Sequence, residues 1–249
     1  EHRPEIQLLP ALQGRMGIEL AREHSPDLIL LDLHLPDMKG EDVLRELAAL
    51  TPGNFLHVGG DEVEALTDEE YAHFIERVQE IVSGLDKQMV GWEEIAKARL
   101  LPTTLSQQWK SDSASAAVQQ GARIIVSPAS RAYLDMKYDE HTELGLSWAG
   151  MTEVDEAYGW DPVTFLPGVR ESHIAGVEAP LWTETIGNLT AAQYMAFPRL
   201  PAIAEIGWTP QAGRDWEAFR VRLAAQAPRW TLLGINYHRS PRVPWGARR

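Results

Sequence analysis

The sequence predicts an α/β fold: a (β/α)8-type barrel, incomplete or irregular, with about seven parallel strands. Three observations carry this. Strand-like apolar runs alternate with helix-period runs, the pattern of βαβ units. Five such strands lie between residues 55 and 182, and two more fit upstream at about 5–9 and 27–33. Each of the five ends in a polar or aromatic residue: Asp61 and Glu62, Trp92, Trp109, Ser127, then Trp182 and Glu184. In a parallel barrel such ends converge on one mouth, where the active site sits.

In order, Ile6–Leu9 reads as a short strand limited by Pro10, and Gly17–His24 as a helix broken by Ser25-Pro26. Asp27–Leu33 is nearly continuous in apolar residues, as a strand buried on both faces would be. Glu41–Leu50 is a second helix, closed by Thr51-Pro52-Gly53. Phe55 to Gly60 is a strand that runs into two glycines and two carboxylates. Thr67-Asp68-Glu69-Glu70 is a capping box. From Tyr71 to Leu85 the apolar residues then repeat at helical spacing. Strands are expected at 88–92, 104–109, 123–128 and 176–182, with a short helix at 93–99 and another at 113–120 closed by Gly121. A long insertion separates the last two strands. Two helical stretches, about 190–206 and 214–233, close the chain, and Pro198 and Pro201 bend or divide the first.

The 249 residues suffice for one α/β barrel, and 44% are hydrophobic, enough to bury a core. A net charge of −13 argues against nucleic acid or an anionic membrane as a partner. Cysteine is absent, which removes disulfides and thiolate chemistry. No apolar run is long enough to span a bilayer. No secretory leader is visible, and the chain begins at Glu1 rather than Met, which suggests a missing or replaced native N-terminus and leaves the compartment open.

The strand ends carry the chemistry. Asp61 and Glu62 are neighbours, and neighbouring carboxylates oppose each other's ionisation, so one proton tends to stay near neutral pH. A retained proton is what a general acid needs. Indoles beside carboxylates suit a pyranose: the ring faces stack on C–H groups and the carboxylates hold hydroxyls. His57 reads as a packed, hydrogen-bonded residue rather than a catalyst. Trp148 either caps the site or packs in the core. Trp160, Trp208, Trp216, Trp230 and Trp245 read as structural. No His/Asp cluster has metal-ligand spacing, so neither metal nor cofactor is expected.

Two resemblances refine this. Pro26–Gly40, with Asp32, Pro36 and Gly40 in register, resembles the phosphoacceptor strand and loop of a response-regulator receiver domain. By that resemblance Asp32 would be the phosphoacceptor. The receiver's upstream acidic pair and its later Ser/Thr and Lys strands have no counterpart, which argues against phosphorylation.

Residues 43–246 resemble the C-terminal part of a glycoside hydrolase family 20 β-N-acetylhexosaminidase catalytic domain. The resemblance rests on His57–Glu62, Val90-Gly91-Trp92, Gln108-Trp109, Tyr133–Tyr138, Gly176–Glu184, Met195–Pro201 and Val243-Pro244-Trp245. It implies retaining hydrolysis of terminal β-linked N-acetylglucosamine or N-acetylgalactosamine, in which the substrate's 2-acetamido group attacks the anomeric carbon. Glu62 would be general acid and then base. Asp61 would orient the acetamido N–H, and Tyr133 would bond its oxygen. Trp92, Trp109 and Trp182 would wall the sugar pocket, with Trp148 over it, and Asp135 and Glu184 would bind ring hydroxyls. The carbohydrate would be the partner.

The resemblance also divides the chain into 1–42, receiver-like and flanking or completing the barrel, and 43–249, the barrel proper, in one structural domain. The simplest account of the join is a chimera. Upstream family strands are missing, with their sugar-gripping Arg. Leu35-Pro36 is followed by Asp37-Met38 where the family has Gly-His. Weak or lost activity is therefore expected, and exposed barrel edges suit a homodimer. Two other function classes are a non-catalytic N-acetylhexosamine binder and, more distantly, a degenerate phosphorylation receiver. Relatives are often secreted bacterial enzymes.

Overall fold

The computed structural model of the chain describes residues 9–24, 36–50 and 53–246. The strands expected at about 5–9 and 27–33 lie outside the described residues, except for Leu9, which is in no strand; Asp32 lies outside them as well.

Helix α1 (Gly14–His24) buries Ile18 and Ala21, and α2 (Gly40–Leu50) buries Val43, Leu44, Leu47 and Ala48. Helical spacing puts Val43 and Leu47 on the side that meets Ile18 and Ala21. Leu44 instead joins the core beneath the next helix. Asp37 caps α1, its carboxylate accepting the amides of Gly14 at 2.7 Å and Arg15 at 3.1 Å.

Five parallel strands follow in chain order: β1 (Phe55–His57), β2 (Gln88–Trp92), β3 (Leu105–Gln108), β4 (Arg123–Val126) and β5 (Ile174–Val177). The register pairs Leu56 with Met89, Trp92 with Gln107, Gln107 with Ile125 and Ile125 with Gly176. An order without reversal is that of a barrel wall, not of a doubly wound sheet. Among the described residues β1 and β5 each have one strand neighbour, so they end the described sheet. Of the about seven strands expected of a barrel this incomplete, five are described.

Helix α3 (Asp68–Ser83) starts at the capping box read from the sequence. Thr67 Oγ1 accepts the Glu70 amide at 3.3 Å, and Glu70 accepts the Thr67 amide at 2.9 Å. Its Tyr71, Ile75, Val78, Ile81 and Val82 pack on Met89, Ile95 and Leu100. Each such side chain, fully buried, contributes about 1.5–3 kcal/mol. Helix α4 (Ala114–Gln119) ends at Gly121, whose φ of +90° needs no Cβ.

Several expected elements are corrected. Residues 93–99 form a 3-10 turn, Glu93–Lys97. The fifth strand begins two residues early, at Ile174, and stops at Val177, short of Pro180, which has no N–H to give a ladder. The insertion contains α5 (Val154–Tyr158), capped by Glu153, and α6 (Pro162–Phe165), capped by Asp161. The two closing helices are four: α7 (Leu189–Ala196), α8 (Arg199–Trp208), α9 (Trp216–Ala224) and α10 (Ala227–Leu232). The Phe197–Pro198 bond, which is cis, divides the first pair. Pro228 sits within the first turn of α10, where its missing N–H costs nothing. Faces of α5, α8 and α9 pack with Ile124, Val126 and Trp230 into the second core.

Burial falls toward the sheet edges. All four residues of β3 are buried, whereas Phe55 and His57 of β1 are exposed.

Candidate active site

The C-terminal strand ends meet, as the sequence predicts. β1 leads into a turn at Gly59 (φ +70°) and Gly60 (φ +100°), and Glu62 itself has φ +51°. At Gly60 a Cβ would stand 2.9 Å from Ile95 Cγ2 and from the Tyr71 hydroxyl oxygen, so only glycine fits. The turn is tethered at three points. Gly59 N–H donates to His57 Nδ1 at 3.1 Å, Trp92 N–H to Gly59 O at 2.9 Å, and the Tyr71 hydroxyl to Gly60 O at 2.6 Å. Burial, then the charges of Glu94 and Asp61, raise the Tyr71 phenol, so it keeps its proton.

The turn delivers Asp61 and Glu62 to the rim, both exposed. Glu62 Oε1 accepts from Lys110 Nζ at 3.0 Å. That ammonium also lies 4.1 Å from the Trp109 ring centroid and 3.9 Å from Glu94. Lys110 was not singled out from the sequence; its one signal is that it directly follows a strand-end tryptophan.

Five aromatic rings close a circle beside this rim. Trp92 lies 6.2 Å from Trp109, Trp109 5.8 Å from Trp148, Trp148 6.0 Å from Tyr133, Tyr133 6.4 Å from Trp182, and Trp182 6.0 Å from Trp92. Trp92, Trp109 and Tyr133 are buried, with Ala129 and Met136 beneath them. Trp182 and Trp148 are 42% and 53% exposed, so they form the open side. Trp148 is thus a rim residue, not a core one. Of the tryptophans read as structural, Trp160 and Trp230 are buried, but Trp208 is 89% exposed at the end of α8.

The rings are held by groups the sequence reading passed over. Glu93, buried after β2, accepts the amides of Trp109 (3.4 Å), Lys110 (3.2 Å) and Ser111 (2.7 Å). Burial raises its carboxyl, and the bonds to Ser111 and Lys110 oppose that. Glu94 accepts the Trp109 indole N–H at 3.2 Å. Arg199, fully buried, forks onto four carbonyls: Met136 (2.6 Å), Leu134 (2.6 Å), Met195 (2.9 Å) and Thr152 (3.1 Å). Its guanidinium lies 3.8 Å from the Tyr138 ring centroid. It therefore fixes the segment that carries Tyr133, Asp135 and Trp148.

Asp135 is buried under Trp182. Its Oδ1 accepts the Trp182 amide at 3.3 Å, and its Oδ2 has no hydrogen-bond partner among the described residues. Burial raises its carboxyl, against the Trp182 amide that lowers it. Burial also raises the Tyr133 phenol, with the charges of Asp135 and Asp61 adding to the effect, so Tyr133 is a proton donor at neutral pH. Glu184 is exposed, two residues past Trp182, and its charge reaches Asp135. Below the rings, Gln107 joins His57 to Ser127 and Glu178. Among the described residues no group of three His, Asp or Glu side chains is placed to hold a metal ion.

The site therefore offers a ring of aromatic faces, a buried carboxylate, a protonated phenol and a carboxylate pair at the rim. Known proteins are similar to this chain. The profile of glycosyl hydrolase family 20, catalytic domain, matches residues 39–211. A Cellulomonas fimi β-N-acetylhexosaminidase is 47% identical over 208 residues, 82% of this chain and 42% of that protein. The solved GH20 β-N-acetylhexosaminidase of Streptomyces coelicolor A3(2) is 50% identical with a TM-score of 0.80, over 83% of this chain and 43% of that one. A mutant Streptomyces plicatus β-hexosaminidase, solved with the product GlcNAc, is 48% identical with a TM-score of 0.79, over the same 83% and 43%. The chain spans less than half the length of these relatives. With the family match running from the start of α2 past the end of α8, the chain belongs to glycosyl hydrolase family 20.

Proposed function

We propose that this chain removes terminal non-reducing N-acetylhexosamine from β-linked glucosaminides and galactosaminides by retaining, substrate-assisted hydrolysis. The observation that carries the reading is the closed aromatic ring with Asp135 beneath it and the Asp61–Glu62 turn at its rim. A relative 48% identical binds GlcNAc as product, which supports the same sugar here.

The acetamido oxygen attacks the anomeric carbon as the bond to the leaving oxygen breaks, and Glu62 gives that oxygen a proton. Tyr133 donates to the acetamido oxygen and holds it in line. Asp61 accepts the acetamido N–H and balances the positive charge of the oxazolinium ring. Glu62, now a carboxylate, takes a proton from water as the water attacks the same carbon, which restores the amide with net retention. Trp92, Trp109, Trp148 and Trp182 enclose the sugar, and Asp135 and Glu184 take ring hydroxyls.

Turnover is expected to be weak. The Glu62 side chain is 64% exposed, on a turn that follows an end strand of the described sheet, so little encloses it against the leaving oxygen. Hydrolysis of a chromogenic N-acetyl-β-glucosaminide by the purified chain, with Glu62→Gln alongside, tests the reading. Release that vanishes in Glu62→Gln supports it. Tryptophan fluorescence that responds to GlcNAc without any release favours the second reading, a non-catalytic N-acetylhexosamine binder, for which the intact ring beside an open acid turn speaks.

Two further parts belong to this reading. Val43 and Leu47 pack on α1 while Leu44 packs beneath α3, which supports one domain flanked by residues 1–42. The single strand neighbour of β1 and of β5 among the described residues supports a homodimer through the sheet edges. The family match begins at residue 39, so the receiver reading of the N-terminal segment gains no support from it, and Asp32 is outside the described residues.

A further inference from the structure

We propose that His57, backed by Gln107 and Glu178, is the positioning residue for the Asp61–Glu62 turn: its neutral Nε2–H tautomer sets where the two carboxylates stand. The proposal rests on the hydrolase reading above for its purpose, but its geometry stands apart from it.

The bonds fix the direction of every proton. The Gly59 amide can only donate, so His57 Nδ1, 3.1 Å away, must present its lone pair. The ring proton is then on Nε2, which faces Gln107 Oε1 at 3.1 Å. With that oxygen turned to the histidine, the Gln107 amide nitrogen donates to Ser127 Oγ and to Glu178 Oε1, both at 3.0 Å. Ser127 in turn donates to the Gln108 carbonyl at 2.8 Å, so it is free to accept from Gln107. An ionised Glu178 can only accept. The chain from Glu178 to Gly59 thus has one consistent polarity, set from both ends. The imidazole is also edge-on to Trp92, at 5.2 Å between centroids, which fixes its plane.

A proton added at Nδ1 would face the Gly59 N–H, donor against donor, and that tether would be lost. Of the three tethers on the turn, this is the one whose partner has an ordinary pKa near neutrality. The groups facing His57 are Trp92 from β2, Gln107 from β3, Glu178 beyond β5 and Asp61 on its own turn. The two carboxylates favour the imidazolium. Desolvation, the largest influence, outweighs them and the Gln107 bond and holds the imidazole below the ordinary histidine range. The neutral ring is therefore the resting form at pH 7.

The test is imidazole nitrogen-15 and amide NMR on the whole chain, with His57→Asn used to assign the His57 signals. The expected result is an Nε2–H tautomer at pH 7 and a Gly59 amide that shifts along the His57 titration curve. An Nδ1–H tautomer, or a Gly59 amide indifferent to that titration, overturns the proposal. Kinetics add a readout that mere packing would not move. His57→Phe keeps a ring against Trp92 but cannot accept, so kcat should fall by about a hundredfold, the cost of displacing a catalytic group by about an ångström. KM should change little. His57→Asn, whose Oδ1 can accept the amide two residues on as in an Asx turn, should recover most of that loss and lack the acid limb that His57 gives the kcat profile. Equal losses in the two variants overturn positioning. Failure of the hydrolase reading looks different: the unaltered chain shows no release, while the tautomer and the Gly59 coupling remain as described.

Discussion

Trp109 and Glu62 both touch Lys110, one through its ring face and one through a carboxylate oxygen, yet they are held in different ways. Trp109 follows a strand buried at all four residues, with strands on both sides. Its amide is tied to Glu93 and its indole N–H to Glu94, and the opposite side of the aromatic ring is pinned by Arg199. Glu62 follows a strand exposed at Phe55 and His57, with one strand neighbour among the described residues. Among the described residues its turn is tethered by Trp92 of β2 and Tyr71 of α3, and by its own strand through His57. The aromatic ring is complete without anything before β1. The acid turn follows β1, an end strand of the described sheet. On the proposed reading, sugar binding and acid–base chemistry would rest on separable parts of one wall.

Glu62→Gln should open the widest gap between them. It is expected to lower kcat by about a thousandfold, the range of a lost general acid, while GlcNAc still quenches tryptophan fluorescence with the same midpoint. If binding falls together with turnover, the two regions are one unit and the comparison breaks.

Arg199→Met attacks the ring side. Four buried carbonyls would lose their donor, at a cost of about 3 kcal/mol or more, read as a lower urea midpoint. Sugar quenching should weaken as well, because the segment carrying Tyr133 and Trp148 loosens. Arg199→Lys should recover only part of this, since an ammonium cannot fork to carbonyls from three chain segments. A ring that binds normally in Arg199→Met would mean that packing with Met136 and Ala129 alone holds it.

What the sequence made legible follows the same division. Strand-end residues were readable because carboxylates and indoles at the ends of apolar runs, after a Gly-Gly pair, have little use in a core; Asp61, Glu62, Trp92 and Trp109 are proposed for the site on that ground. The capping box at Thr67 was equally local and formed as read. Trp148 was ambiguous because it lies in an insertion, and only packing across the chain puts it beside Trp109. Arg199 drew no notice as a clamp because three of its carbonyls lie 47 to 65 residues away. Glu93 and Glu94 looked like the start of a helix, since a first turn favours acids, and their work as tethers depends on where the next strand ends. Period and propensity report local geometry, whereas these bonds belong to the tertiary fold.

Asp135→Asn sharpens the comparison through pH. Burial raises the Asp135 carboxyl above its ordinary 3.8. The folded chain thus holds this proton more tightly than the unfolded chain, and the stability it gives is full below the ordinary value and lost as pH rises through the raised one. An amide carries no charge to desolvate. Asp135→Asn should therefore be more stable than the unaltered chain at pH 7, by about 1 kcal/mol, with the difference closing toward acid. Sugar binding should weaken in the same variant, because a carboxylate accepts from two hydroxyls and an amide oxygen from fewer. Loss of stability at pH 7 would mean that the unpartnered Oδ2 has a use in the fold.

The smallest effect is expected where the two regions meet. Lys110→Met removes an ion pair between groups 42% and 64% exposed, together with a cation over the Trp109 face. Exposed pairs of this kind contribute about 0–1 kcal/mol and weaken in salt, and an exposed cation–π contact adds about 0.5–1 kcal/mol. The methionine keeps an apolar stem on the indole. Thermal unfolding should thus shift by little, and the shift should shrink further at high ionic strength. The ring should be indifferent to the change, because Glu93 and Glu94 hold Trp109 without Lys110. The acid turn should not be, since Lys110 holds the Glu62 carboxylate toward the ring. Turnover that changes while GlcNAc quenching stays the same would place Lys110 with the acid turn. A loss of quenching would place it with the ring and show that the rim lysine, rather than the buried acids, sets the Trp109 face.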